Sequence, residues 1–297
     1  CLVKYKASYL PVLDGRISSM WVFLNGNILR EEEAKISPLD RGFTFGDGVY
    51  EVIPSYDNVR FLFEEHLIRL KNSLEQLFIP FPDILYEMDA ILDELHKKNK
   101  YKNQSFYIQI TRGAQNIRSH DSEKDLVPTV FITSQELALN PFKNSPERKG
   151  LKVRLEEDIR WGRCDIKTTG LTGNILSAHD PSKKLTDEII FHKEGKINEG
   201  SKSNIFIVLE NTIFSPPLDQ NILPGVTRNY IVEKLRGTDL EVHEKTITLD
   251  MFHRSEEIWL TSSTKELQPV HFIEEFELPK KNSKDYIWPR ILSYFDN

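Results

Sequence analysis

Cysteine is scarce in this chain. Cys1 and Cys164 are its two cysteines in 297 residues, so at most one disulfide can form, with one partner at the extreme end. A reducing cytoplasm is the simple reading. Long apolar runs are missing as well. No stretch approaches the roughly 20 residues of a membrane-spanning helix, and the first residues lack the charged-then-apolar order of a secretory signal. Positive charge is not in excess either: 39 Lys and Arg against 45 Asp and Glu leave a net charge of −6. Without a basic stripe, a nucleic-acid surface is not expected, because affinity for a phosphate backbone rests on clustered Lys and Arg. The eight histidines include no His-Glu-x-x-His arrangement and have no cysteine pair nearby, so no metal site is expected. There is no internal repeat, low-complexity tract or coiled-coil heptad.

What is present is enough chain for more than one buried core, and the pattern predicts an α/β (α+β) protein of two domains. Cys1 to Ser19 precedes the regular pattern that begins at Met20 and is set apart as an uncertain extension. Residues 20–134 read as a smaller N-terminal α/β domain. Trp21 to Leu24, Asn25-Gly26 and Asn27 to Leu29 predict a hairpin, since Asn-Gly supplies the positive φ angles of a type I′ turn. Leu67, Leu70, Leu74 and Leu77 recur at helical spacing, as do Ile84, Met88, Ile91, Leu92 and Leu95, so two helices should each lay one apolar stripe on a sheet. That sheet should include Ser105 to Thr111 and Thr129 to Thr133. Residues 135–149, rich in Pro, Asn and Ser, read as a linker. Residues 150–297 read as a C-terminal domain with strands at Leu151 to Leu155, Glu188 to His192, Asn204 to Leu209 and Ile258 to Leu260, and helices after Thr227 and near Asp285.

Three segments of the second half carry chemistry together. Lys167 sits in Asp165-Ile166-Lys167-Thr168-Thr169, Glu199 opens Glu199-Gly200-Ser201, and Leu223-Pro224-Gly225-Val226-Thr227 runs into a helical pattern. These are the parts needed to hold pyridoxal phosphate: an amine for its aldehyde, a carboxylate for its pyridine nitrogen, and helix-opening amides for its phosphate. Taken singly, each has an ordinary reading. Lys167 would be a solvated lysine, Glu199 a surface residue beside a turn, and Thr227 a helix N-cap. Arg69, on the leucine-striped helix, would otherwise be a solvated arginine but can add a bidentate phosphate contact. Arg118-Ser119-His120, in a polar loop, is a candidate carboxylate clamp because arginine and histidine both donate to an oxyanion. Phe43-Thr44-Phe45-Gly46-Asp47-Gly48 lacks the third glycine and the preceding strand of a dinucleotide loop, so that reading is rejected.

From about Met20 to Val270 the chain resembles the class IV (fold-type IV) pyridoxal-phosphate aminotransferases, most specifically the D-amino-acid aminotransferases. The resemblance rests on Leu39-Asp40-Arg41-Gly42-Phe43, Gly46-Asp47-Gly48-Val49-Tyr50-Glu51-Val52, His66-Leu67-Ile68-Arg69-Leu70 and Asp165-Ile166-Lys167. It continues through Glu199-Gly200-Ser201, Ile222 to Arg228 and Thr261-Ser262-Ser263-Thr264-Lys265-Glu266. It implies a larger C-terminal pseudo-barrel domain and pyridoxal 5′-phosphate as cofactor. It also implies Lys167 as the Schiff-base and proton-shuttle residue, with Glu199 on the pyridine nitrogen. Arg69, Val226, Thr227 and Ser263 would take the phosphate, and Leu223 would pack on the ring. Tyr50, Arg118 and His120 look like the carboxylate trap of the D-amino-acid enzymes, the last two coming from a neighbouring subunit, so a homodimer is implied. The implied reaction moves an amino group from a D-amino acid such as D-alanine or D-glutamate to a 2-oxo acid. The rivals are a branched-chain L-amino-acid aminotransferase, an aminodeoxychorismate lyase and a cofactor-binding protein without turnover. Two positions depart from the pattern: Lys202 stands where a small hydroxyl residue is usual, and Pro181 should shorten the helix that follows the lysine.

Overall fold

The computed structural model describes residues 20–296 except 144, 146, 147, 182, 184 and 283; the extension read at Cys1 to Ser19 lies outside the described residues. The chain begins with the hairpin β1 (Trp21–Leu24) and β2 (Asn27–Arg30), turned by Asn25 and Gly26 at φ 49° and 93°, the positive angles a type I′ turn needs. A short helix α1 (Arg41–Phe45) leads into β3 (Gly48–Tyr56) and β4 (Val59–Arg60). Then come α2 (Phe63–Gln76), α3 (Met88–Asn99), β5 (Asn103–Thr111) and β6 (Thr129–Glu136). These strands make one antiparallel sheet in the order β2-β1-β6-β5-β3-β4.

The two leucine stripes pack on that sheet. Leu70 and Leu74 of α2 and Met88, Leu92 and Leu95 of α3 are buried against Ile53, Phe106, Ile108 and Ile110, each such side chain contributing roughly 1.5–3 kcal/mol of transfer free energy. The second stripe is not one continuous α-helix. Pro82 precedes a 3-10 turn at Asp83–Glu87 that carries Ile84, and the α-helix starts at Met88. The stretch read as a linker also begins too early: Gln135 and Glu136 still pair with Ser105 and Gln104. Farther along it, Asn140 donates to the carbonyls of Lys265 and Leu267, and Phe142 is buried beside Trp288.

The second sheet starts with β7 (Leu151–Glu157), followed by α4 (Thr172–Ala178), β8 (Glu188–Lys193), β9 (Lys196–Gly200), β10 (Asn204–Leu209) and β11 (Thr212–Ser215). It continues with α5 (Val226–Leu235), β12 (Val242–Glu244), β13 (Ile247–Thr248), α6 (Leu249–His253) and β14 (Glu257–Ser262). The chain ends with β15 (Glu266–Ile273), β16 (Phe276–Glu277) and α7 (Trp288–Leu292). The strand order is β12-β11-β10-β14-β15-β7-β8-β9-β13, with β16 on β15. Because β9 turns directly into β10, at the other end of that central path, the sheet curls into a half-barrel.

Both faces of this sheet are covered, so its strands read as apolar runs rather than alternating ones. Ile205 and Ile207 join Val153, Ile190, Ile197 and Leu260 in one core, while Phe206 and Val208 join Trp259 under Ile231 and Leu235 of α5 and Trp288 of α7. Helix α4 stops at Ala178, just before Pro181, as expected of a residue whose ring and missing N–H end helices.

The segment between β7 and α4 ties the two sheets together. Tyr50 N–H donates to Lys167 O at 3.0 Å, Val49 pairs with Thr168, and Thr169 N–H donates to Gly48 O at 2.9 Å. The lysine segment is thus an added strand-like edge on β3.

Candidate functional site

Lys167 is held by backbone on both sides, its N–H also donating to Ser73 Oγ at 3.3 Å. Its half-buried side chain places Nζ 4.2 Å from the centre of the Tyr50 ring, which stacks on Tyr107 at 5.7 Å.

Glu199, the penultimate residue of β9, is 4 % exposed. Its Oε1 accepts from Arg160 Nη1 at 2.7 Å, and its Oε2 accepts from Asn204 Nδ2 at 2.9 Å and from Leu223 N–H at 3.1 Å. The Arg160 guanidinium is itself fixed by Asp158 through two hydrogen bonds of 2.9 and 2.8 Å, and the Arg160 N–H donates to the same carboxylate at 3.1 Å. Burial pushes the Glu199 carboxyl up to about 7, against the opposing pull of Arg160. A cation facing this carboxylate would remove that penalty.

Arg69 projects from α2 onto Glu51 of β3, with Nε to Oε1 at 2.6 Å and Nη2 to Oε2 at 2.9 Å, and Nη1 donates to Pro224 O at 3.2 Å. His66 Nδ1 lies 2.9 Å from the same carboxylate. Burial works to raise the Glu51 carboxyl, but Arg69 and His66 outweigh it and hold it well below the ordinary range. Arg69 therefore stands fixed beside the start of α5. That helix begins two residues earlier than the sequence suggests: Gly225 is the N-cap and Thr227 lies in the first turn, so the Thr227 hydroxyl is not a cap. First-turn amides have no partner within a helix, and here they open on a cleft.

That cleft, roughly 800 Å³ of space with its open mouth, gathers Lys167, Glu199, Arg69, Leu223, Val226 and Thr227. Ser263 and Tyr50 complete the expected set along its wall. Arg118 and His120 do not line it. They lie on the loop after β5, where Arg41 holds the backbone: its Nη1 donates to Ser119 O at 2.9 Å and its Nη2 to His120 O at 3.0 Å. Arg41 is locked by Asp47 at 2.8 Å and by Gln115 Oε1 at 2.9 Å, and Phe45 lies 4.9 Å from the guanidinium of Arg118 and 5.3 Å from the ring of His120. The loop is tied down by Arg41, but within one chain it contributes no residue to the cleft lining.

Sequence reasoning missed Arg160, Glu51, Asn204 and the structural part of Arg41. Arg160 had one weak signal, its spacing from Asp158. The others are brought in by pairing across strands and helices, which no local pattern records.

The family model for amino-transferase class IV matches residues 48–273. The chain belongs to the class IV aminotransferases. It is 33% identical over 255 residues to a D-alanine aminotransferase of Listeria monocytogenes, covering 86% of this chain and 88% of that one. It is 33% identical to a D-alanine aminotransferase of Staphylococcus haemolyticus, covering 84% and 87%. In fold it is similar to the branched-chain amino acid aminotransferase of Escherichia coli, at 20% identity with a TM-score of 0.82 and 94% of each chain covered. The branched-chain aminotransferase from Thermoproteus uzoniensis gives 25%, 0.80 and again 94% of each chain.

Class IV aminotransferases are pyridoxal-phosphate enzymes, and the residues present fit that group. An anion-accepting helix start lies beside an arginine, and a buried carboxylate is available for a ring cation. The buried Thr261 Oγ1 on the cleft wall has no partner among the described residues. A side chain at Gly225 would have its Cβ 1.8 Å from Asn204 Oδ1, so glycine there leaves room for the Asn204 amide that bonds Glu199 and Leu223 O.

Proposed function

We propose that this chain moves amino groups between D-amino acids, of the D-alanine or D-glutamate type, and 2-oxo acids, acting as a homodimer in the cytoplasm. The observation that carries the reading is the Arg118-Ser119-His120 loop, bonded into shape by Arg41 yet not lining its own chain's cleft. Such a loop is suited to a second copy's cleft. The D-alanine aminotransferases at 33% identity support the choice of substrate.

Bound pyridoxal 5′-phosphate supplies an aldehyde that carries the amino group and a ring that accepts electron density from the substrate Cα. Glu199 would accept the ring N–H, and Arg160 behind it keeps the carboxylate oriented. Arg69, the Val226 and Thr227 amides and the Ser263 hydroxyl would hold the phosphate, with Leu223 against the ring. Lys167 Nζ would take the proton from the substrate Cα and hold it for return, a general-base and general-acid role at one atom. Tyr50, with Arg118 and His120 from the partner, would fix the substrate carboxylate and so choose which hand of amino acid points its Cα–H at Lys167.

A branched-chain L-amino-acid aminotransferase is the second reading, favoured by the likeness to the branched-chain aminotransferase of Thermoproteus uzoniensis. The test is pyruvate formation from D-alanine and 2-oxoglutarate by the cofactor-loaded protein, beside glutamate formation from L-leucine and from L-alanine. Turnover confined to D-alanine is expected. Turnover of L-leucine without D-alanine would establish the second reading, and elimination without transamination would point to a lyase.

A further inference from the structure

Beyond the reacting lysine the cleft continues into a second cavity. The two share Tyr50, Lys167, Lys202, Ser203, Ser262 and Ser263, so a molecule attached at Lys167 can extend from one into the other. Lys202 lines both. It occupies the tip of the turn from β9 to β10, and that turn is rigid for identifiable reasons. Gly200 N–H donates to Ser203 O at 2.7 Å and Ser201 N–H to Ile189 O at 2.9 Å. The hydroxyls on either side of the tip are tied to one carboxylate, Ser201 Oγ to Glu188 Oε1 at 2.5 Å and Ser203 Oγ to Glu188 Oε2 at 3.3 Å. Asn174 Nδ2 closes the other side on Ser201 O at 2.7 Å.

Lys202 itself has neither an ion pair nor a hydrogen bond from its ammonium among the described residues. The carboxylates on the cavity wall are engaged elsewhere: Glu188 with the two serines and Ile189 N–H, Asp187 with Lys152 N–H at 2.8 Å. Lys265, farther out on the same wall, also lacks an ion-pair partner among the described residues. An ammonium displayed by a fixed turn between the reacting lysine and an outer cavity is a receptor for an anion.

We propose that Lys202 is a specificity-determining residue, forming a subsite for the distal carboxylate of a dicarboxylic 2-oxo acid or amino acid. Monocarboxylic substrates of the same length would leave the subsite without its ion pair. The inference rests on the transaminase reading of the cleft but not on the hand of the donor, because a 2-oxo acid has no stereocentre at C2.

The holoenzyme is assayed with 2-oxoglutarate and with 2-oxopentanoate as acceptors, for the wild type, Lys202→Met and Lys202→Arg. The ratio of kcat/KM for the dicarboxylic over the monocarboxylic acceptor should fall about tenfold or more in Lys202→Met, the size of one charge-assisted contact, and should recover in Lys202→Arg. Titration of the cofactor-free protein with pyridoxal phosphate, followed by absorbance, is the second readout. An unchanged ratio would overturn the proposal. So would an equal fall for both acceptors, or a fall explained by weaker cofactor binding, since Lys202 would then serve the phosphate or the turn. If the wild type rejects D-alanine but accepts an L-donor, the D-amino-acid reading fails while the acceptor ratio is still measured with that donor. If it transaminates neither, glutarate against pentanoate as ligands perturbing the bound cofactor's absorbance gives the same comparison, and equal affinity of both would overturn the proposal.

Discussion

Glu199 is the residue whose chemistry is most altered by its surroundings. Its carboxyl is pushed by burial from an ordinary 4.5 up to about 7. In the protein without cofactor, the unfolded chain ionises near 4.5 while the folded one keeps its proton, so stability falls as pH rises through that window and levels off above 7. The loss is on the order of 3 kcal/mol. Glu199→Gln removes the ionisation, so relative to wild type the cofactor-free variant should gain thermal stability between pH 5 and pH 8. Melting midpoints of the two proteins at both pH values check this; a difference that does not change with pH would contradict it. Glu51 has the opposite sign. Held well below the ordinary range by Arg69 and His66 despite its burial, it contributes stability above 4.5 that is lost as pH falls.

At the scale of elements, the clamp loop depends on Arg41. Its guanidinium bonds two consecutive carbonyls, Ser119 O and His120 O, and no other described side chain reaches both. Arg41→Met should loosen the loop and raise KM for D-alanine about tenfold or more, given the worth of charge-assisted hydrogen bonds, while pyridoxal-phosphate affinity stays near that of the wild type. Steady-state kinetics with a spectral cofactor titration check the split; a matching loss of cofactor affinity would assign Arg41 to the fold at large. Much of this scale was legible in the sequence. Asn25-Gly26 announced the hairpin, and the leucine stripes announced two helices, because turn chemistry and helical period are local properties. Strand β3 was not legible. Its pattern is broken by Glu51, fully buried because Arg69 reaches it from 18 residues away. Lys167 and Glu199 were recognisable within their motifs, whereas Arg160 and Arg41 depend on partners that only the folded chain supplies.

At the scale of the molecule, the proposed reading requires a second copy to complete the site. Phe43 on α1 and Ile117 and Val127 on the clamp loop are 80%, 68% and 81% exposed. They belong to segments joined around Gly113, whose carbonyl accepts from Arg41 N–H and whose Cβ would lie 2.0 Å from Val127 O. Apolar side chains exposed beside a well-ordered polar clamp fit an interface between copies. The most direct test is complementation. Lys167→Ala, which removes the reacting amine, is mixed with Arg118→Ala, which removes the clamp, under conditions that exchange subunits. Turnover of D-alanine with 2-oxoglutarate is then compared with each variant alone. A site formed from one chain's Lys167 and its partner's Arg118 would recover roughly a quarter of the wild-type rate, since random pairing makes half the dimers hybrid with one intact site each. Activity no greater than the sum of the separate variants, with hybrid dimers verified by mass spectrometry, would contradict the account.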